Sequence, residues 1–206
     1  MTWACVLLLA LPALNLSAEE ARLIFSKSFP HSVPAFVEIA VVPSGAALYR
    51  DDPKDDNPPL HFQIGAADAA QMFALAEKLK FFTLPLESPA KVAFMGMKTF
   101  RYESGSTRQE VKFNYTDDPD GALLTDWFER ISETEQTFIT LQSAAKYDKL
   151  GVNKALLQLE AVWDKKRFMA PQQVLPILDR IAANETYLNM SRSRAAGVAE
   201  SMRAAK

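Results

Sequence analysis

Apolar residues follow two different periods along the chain. Between residues 22 and 115, apart from segment 66–82, they fall in short runs, several of which alternate with polar residues as in a half-buried strand. From Leu123 onward they recur every three or four residues, the period of an amphipathic helix. The pattern predicts an α+β fold, in which a mostly antiparallel sheet is packed with helices and followed by a helical C-terminal part.

The first strand signals lie between Arg22 and Asp51. RLIFSKSF (22–29) has strand character, and the runs 35–42 and 46–51 flank the turn residues Pro43-Ser44-Gly45. Two apolar runs around a short turn predict a β-hairpin. We therefore expect one strand followed by a hairpin.

A loop, a short strand and a helix come next. DDPKDDNPP (51–59) contains three prolines, which cannot donate ladder hydrogen bonds, among Asp and Asn residues that favour turns. LHFQI (60–64) predicts a short strand. Apolar residues at helical spacing then predict one amphipathic helix from Ala66 to Phe82.

Segment 91–115 predicts two or three strands with a turn at Ser104-Gly105-Ser106-Thr107. The charges select a register. If Phe100 lies opposite Val111, Arg101 faces Glu110 and Glu103 faces Arg108. Both cross-strand charge pairs are then attractive. The adjacent register, which sets Arg101 opposite Arg108, is repulsive.

Helices dominate the remainder of the chain. Asp118-Pro119-Asp120 is a start signal, because an acidic N-cap precedes proline in the first turn. The apolar pattern after it predicts a helix of about 25 residues. Two further helices are predicted, from Asn153 to Phe168 and from Pro171 to about Arg203. We expect residues 19–118 to form the α+β sheet region and residues 119–206 a helical region that is packed on it or extends from it.

The first 18 residues predict a signal peptide. The stretch from Trp3 to Leu16 is almost entirely apolar, but it is shorter than the roughly 20 residues of a membrane-spanning helix. Pro12 breaks this run before the small residues Ser17-Ala18, and acidic residues follow. We expect cleavage after Ala18 and a periplasmic or otherwise extracytoplasmic mature chain.

The single cysteine, Cys5, lies inside this segment. A lipid-attachment cysteine follows the apolar run, whereas Cys5 precedes almost all of it. The mature chain is therefore expected to lack cysteine. That excludes disulfides, thiol catalysis and cysteine metal sites from it.

Charge is distributed unevenly around a net value of −2. Residues 19–145 carry 12 basic and 19 acidic side chains, whereas residues 146–206 carry 11 and 6. The basic C-terminal helices predict contact with an envelope protein or another anionic partner. Nucleic acid is not predicted, because the chain has no aromatic-basic recognition motif. No segment of the mature chain is apolar enough to predict a transmembrane helix.

Candidate chemistry is sparse. Ser88-Pro89-Ala90-Lys91 matches the S-x-x-K string of serine nucleophiles, but such a serine opens a helix, whereas Ser88 lies in a predicted loop. His31 and His61 have no ligand partner at helical spacing. The acidic clusters 51–56 and 117–120 lack the alternating ligand positions of a calcium loop. No catalytic residue, metal or cofactor is predicted.

Basic residues interleaved with aromatic residues on the later strands are the predicted binding residues. Alternation places one of them, Lys98, on the apolar face with Phe100, which snorkelling at the strand end explains. The predicted binding residues are Lys91, Lys98, Arg101 and Lys112.

The chain also resembles uncharacterised exported bacterial proteins. The resemblance is carried by KVAFMGMKTFRYESG (91–105), VKFNYTDDPD (111–120), WFERISETEQ (127–136) and YDKLGVNKALLQLEAVWD (147–164). It covers most of the mature sequence. It implies a bacterial envelope location and neither an activity nor site residues.

The combined expectation is a non-catalytic binding or interaction module of the bacterial cell envelope. One alternative is a hydrolase whose carboxylates, such as Glu38, Asp51 or Glu87, are brought together by the fold. Another is a small-ligand carrier, which needs an apolar cavity.

Overall fold

The computed structural model describes residues 20–54 and 58–205. The predicted signal peptide and its cleavage site after Ala18 lie outside the described residues. Six strands and five α-helices make up the described part. They are β1 (Arg22–Ser28), β2 (Phe36–Val41), β3 (Ala46–Arg50), β4 (Leu60–Gln63), α1 (Ala66–Lys78), β5 (Met97–Ser104), β6 (Thr107–Phe113), α2 (Pro119–Tyr147), α3 (Val152–Asp164), α4 (Pro171–Ala183) and α5 (Asn189–Ala204).

The strands form one antiparallel sheet in the order β4-β3-β2-β1-β5-β6. A meander runs from β1 out to β4, and the β5–β6 hairpin adds to the other side of β1. The predicted hairpin register is confirmed, since Phe100 lies opposite Val111 and Arg101 opposite Glu110. The predicted fold class, an α+β sheet followed by a helical C-terminal part, is confirmed.

Helices α1 and α2 cover one face of the sheet and form the first core. Phe128 of α2 lies with its ring centroid 5.0 Å from that of Phe25 and 5.9 Å from that of Phe100. All three side chains are fully buried. Burying such large apolar surfaces is the main force that holds the helices on the sheet.

The second half of α2 belongs to a second core, which it shares with α3, α4 and α5. Asp118 starts this helix as predicted, because its carboxylate accepts a hydrogen bond from the Gly121 N–H at 2.9 Å. Leu141 of α2 is fully buried against this second set of helices. One helix of 29 residues therefore serves both cores.

Besides the end of α3, which was predicted at Phe168 and lies at Asp164, two predicted helix boundaries were wrong. The first is the end of α1, which stops at Lys78 and not at Phe82. A 3-10 turn follows, and Phe81 and Phe82 have positive φ angles of 49° and 69°. This backbone places the Phe82 ring 5.1 Å from the Phe100 ring in the sheet core. Packing against the sheet thus overrides the helical pattern.

The second is the segment from Pro171 to Arg203, which forms two helices and not one. The chain turns between α4 and α5, where the Asn184 side chain accepts a hydrogen bond from the Thr186 N–H at 3.0 Å. Tyr187 in this turn is buried, and its hydroxyl donates to the Ala145 carbonyl at 2.8 Å. The turn lets α5 fold back along α4. Across residues 20–54 and 58–205, no helix combines the length and apolarity of a membrane span.

Candidate binding site

The four predicted binding residues do not share one surface. Lys98 lies on the helix-facing side of the sheet with Phe100, as alternation predicted, and only 6% of it is exposed. Arg101 and Lys112 lie on the opposite side of the sheet, and Lys91 is exposed in the loop before β5. A joint role of all four in binding one partner stays a prediction.

Ion pairs largely neutralise the charged side of β5 and β6. Arg101 Nε lies 3.1 Å from Glu103 Oε1, and its Nη1 lies 3.7 Å from Glu110 Oε2. Lys112 Nζ lies 3.4 Å from Glu110 Oε1. This surface is consequently mixed in charge, and half-exposed pairs of this kind contribute little free energy.

Two of the carboxylates named for a hydrolase, Glu38 and Glu87, lie apart. Glu38 is on β2, whereas Glu87 accepts a hydrogen bond from the Asn114 N–H just after β6. Three strand spacings, about 14 Å, separate β2 from β6. That distance is too large for Glu38 and Glu87 to act on one water molecule.

The other candidate groups from the sequence serve the backbone or stand alone. The Ser88 hydroxyl donates to the Asp117 carboxylate and accepts from the Ala90 N–H at 3.0 Å. It therefore supports its loop. Among the described residues, no group of three or more His, Cys, Asp and Glu side chains is arranged to hold a metal ion.

A groove of about 470 Å³ lies where α2 ends beside α4 and the α4–α5 turn. Two contacts of the α4–α5 turn, one with the end of α2 and one with the loop that follows it, build the groove. Tyr187 binds the carbonyl of Ala145 near the end of α2, and Lys149 Nζ donates to Thr186 Oγ1 at 3.1 Å. We call it the helix-end groove; it is lined by Ile139, Gln142, Ser143, Ala145, Lys146, Tyr147, Arg180 and Tyr187.

Cations at this groove are not matched by carboxylates. Elsewhere in the helical region, arginines are used in ion pairs: Arg203 binds Asp179 at 2.7 Å, and Arg194 binds Glu160. By contrast, Lys146, Lys149 and Arg180 make no ion pair with a carboxylate in the part of the chain that the structure describes. Lys146 Nζ lies 4.8 Å from the ring centroid of Tyr147, a cation–π contact. The groove therefore presents positive charge to solvent.

Tyr147 lines the groove, and three further exposed apolar side chains lie within three residues of Tyr147 or Tyr187 in the chain. Tyr147, the last residue of α2, is 74% exposed, and Leu150 in the α2–α3 connection is 79% exposed. Leu188 and Met190, on the α4–α5 side, are 49% and 57% exposed. Tyr, Met and Arg are enriched at the centres of protein–protein interfaces, and exposed apolar groups clustered with cations fit such a surface.

A second cleft, of about 340 Å³, lies between the sheet, α2 and the α3–α4 connection. Its two carboxylates, Glu129 and Glu133, are four residues apart on α2. Lys27 Nζ lies 3.1 Å from Glu129, and Arg167 binds both Glu133 and Asp126. Each carboxylate of this cleft already binds a cation of the protein itself.

The carboxyl group whose pKa is shifted most among the described residues was not predicted from the sequence. Glu135 of α2 is fully buried, and burial raises its pKa to about 7, although a hydrogen bond from Gln173 at 3.0 Å opposes the shift. A signal was present, because Glu135 follows Phe128 and Ile131 at helical spacing on the apolar face.

Comparison with known proteins assigns no family. No protein-family model matches the chain, and no curated protein matches it.

Proposed function

We propose that this chain is a non-catalytic binding module of the bacterial cell envelope, which holds an acidic segment of a partner protein in the helix-end groove. One observation carries the proposal: Lys146 and Arg180 line the groove together with exposed Tyr147, and neither they nor Lys149, which lies 5.9 Å from the Tyr187 ring centroid, make an ion pair with a carboxylate of the described residues. Cations confined to one groove attract and orient an acidic partner.

The surrounding charge favours the same kind of partner. Segments 139–154 and 180–192, which flank the groove, carry five basic and two acidic side chains. One of those acidic groups, Asp148, accepts a hydrogen bond from the Gly151 N–H at 3.0 Å. An acidic peptide with aromatic or aliphatic residues matches both the cations and the exposed apolar groups.

Location in the envelope is part of the proposal. It is supported by the apolar N-terminal run from Trp3 to Leu16, by the small residues Ser17-Ala18 after it, and by the confinement of the single cysteine to that run. Export with cleavage at this point gives a chain that starts at Glu19.

A direct test measures binding of a fluorescein-labelled peptide of alternating Glu and Leu residues by fluorescence anisotropy. We expect saturable binding that weakens as salt is raised, because screening acts on exposed charges. The double variant Lys146→Glu and Arg180→Glu should bind at least about tenfold more weakly. The matched control is Lys165→Glu, an exposed lysine at the far end of α3, which should bind like the wild type.

Two results would contradict the proposal: no saturable binding at low salt, or equal losses in the double variant and in Lys165→Glu. Purification of each chain from crosslinked envelope fractions then tests the partner. A stoichiometric partner should be lost from the double variant alone, and the recovered wild-type chain should start at Glu19.

A further inference from the structure

Two lysines face each other across the middle of the sheet. Lys27 of β1 lies directly opposite Lys98 of β5. Both side chains point to the helix-facing side, where they line a cavity of about 190 Å³ beside the first half of α2. Like charges directly opposite each other destabilise a strand pair, so an anion between them is favoured.

The protein supplies only part of the negative charge that this pair needs. Lys27 Nζ lies 3.1 Å from Glu129 Oε1, and Asp126, the other carboxylate of the cavity, binds Arg167 at 2.9 Å. Lys98 makes no ion pair with a carboxylate of the described residues. Burial and the nearby Lys27 lower the pKa of Lys98, and the carboxylates of Glu129 and Glu87 offset only part of this shift.

The ammonium of Lys98 keeps unused hydrogen-bonding capacity. Its Nζ donates to the Asn114 carbonyl at 2.7 Å and lies 6.0 Å from the Phe113 ring centroid. An ammonium has three N–H donors, and this side chain is only 6% exposed. A buried cation that borders a cavity and lacks a carboxylate partner is suited to an anionic ligand.

The rest of the cavity is largely apolar and opens to solvent. Phe113 and Ala122 contribute to its wall, and Met95 and Tyr115, which are half-exposed, stand at its mouth. The Asn114 side chain fixes this mouth, because Oδ1 accepts from the Met95 N–H at 2.6 Å and Nδ2 donates to the Ala93 carbonyl at 3.1 Å.

We propose that this cavity binds a small apolar monocarboxylate, whose carboxylate lies against Lys98 and Lys27 and whose apolar body lies against Met95, Phe113 and Tyr115. The size fits a single ring, since a cavity of about 150 Å³ holds benzene. Drug-sized ligands need about 300 Å³ or more, so the site selects small acids. It is separate from the helix-end groove, and neither site depends on the other.

The test titrates the ¹⁵N-labelled chain with 3-phenylpropanoate and, separately, with the uncharged 3-phenylpropanamide. We expect saturable shifts of the amide signals of residues 94–99 and 113–116 with the acid. The uncharged 3-phenylpropanamide should bind at least about tenfold more weakly than 3-phenylpropanoate, because it lacks the charge-assisted hydrogen bond to Lys98. Equal binding of acid and amide, or no saturable shift with the acid, would overturn the proposal.

Two variants test whether Lys98 is the cation that binds the carboxylate of the ligand. Lys98→Met should abolish the preference for the acid over the amide. Lys91→Met, an exposed lysine of the neighbouring loop, should keep it. An unchanged preference in a folded Lys98→Met chain would overturn the assignment. The comparison of acid with amide uses the wild-type chain, so it stands even if Lys98→Met does not fold.

Discussion

Glu135 is a carboxyl group held where its charge is disfavoured. It is fully buried in α2, and its pKa is raised to about 7 by that burial. Gln173 of α4 donates the hydrogen bond to it, and Tyr49 of β3, whose own pKa is raised by burial, contributes an electrostatic interaction with it. The protonated form of Glu135 is therefore the one that the folded protein prefers near and below neutral pH.

Stability should consequently fall as pH rises through this range. The folded pKa of Glu135 lies above its ordinary value of 4.5, so the folded state binds more protons between pH 4.5 and about 7. The free energy of unfolding then falls across that window, by up to about 3 kcal/mol, and this contribution is constant above it. Glu135→Gln removes this titration. The free energy of unfolding of the variant relative to that of the wild type should therefore increase as pH rises. Urea unfolding of both chains at pH 4.5, 5.5, 6.5 and 8 measures this difference.

Glu185→Gln changes an exposed carboxylate and serves as the control. Its difference from the wild type should change little over the same pH range. If the difference in free energy of unfolding between Glu135→Gln and the wild type is also independent of pH, then the pKa of Glu135 is not raised in the folded state.

Residues of this kind were only partly accessible from sequence. Strand alternation placed Lys98 with Phe100, whereas Glu135 was not predicted, although its helical spacing from Phe128 and Ile131 puts it on the buried face. That Lys27 lies opposite Lys98 could not be predicted, because it depends on the pairing of β1 with β5. The end of β1 at Ser28 and the start of β5 at Met97 are 69 residues apart in the chain. Chain segments that meet only in the fold leave no local signal.

At the level of elements, α2 depends on its N-cap. The Asp118 carboxylate accepts the Gly121 N–H, one of the donors that a helix start leaves without a partner. Asp118→Ala should lower the free energy of unfolding by about 1 kcal/mol, whereas Asp118→Asn, which also caps well, should stay near the wild type. Urea unfolding at constant pH measures both. Equal losses in the two variants would contradict a capping role.

Local signals explain which element boundaries the sequence predicted. The start of α2 and the β5–β6 register follow from a cap and from charge pairs that act within a few residues. The end of α1 depends instead on the stacking of Phe82 on Phe100, and the α4–α5 turn depends on the contact of Tyr187 with Ala145. Both contacts join distant parts of the chain, which propensity does not reveal.

At the level of the whole molecule, α2 joins the two cores. Its first half packs Phe128 on the sheet, and its second half packs Leu141 among α3, α4 and α5. Met169, from the connection between α3 and α4, also lies in the sheet core. The sheet core thus contains apolar residues from both predicted regions, 19–118 and 119–206.

This arrangement predicts one cooperative unfolding transition. Trp127 reports on the sheet core and Trp163 on the helical core. Two chains, each keeping only one of these tryptophans and carrying Phe at the other tryptophan positions, should unfold at the same urea concentration, apart from a small shift caused by the substitutions. Leu178→Ala, which opens a cavity in the helical core, should lower both midpoints together, with a loss of about 2–5 kcal/mol. If only the Trp163 midpoint falls, the helical region unfolds on its own and α2 does not couple the cores.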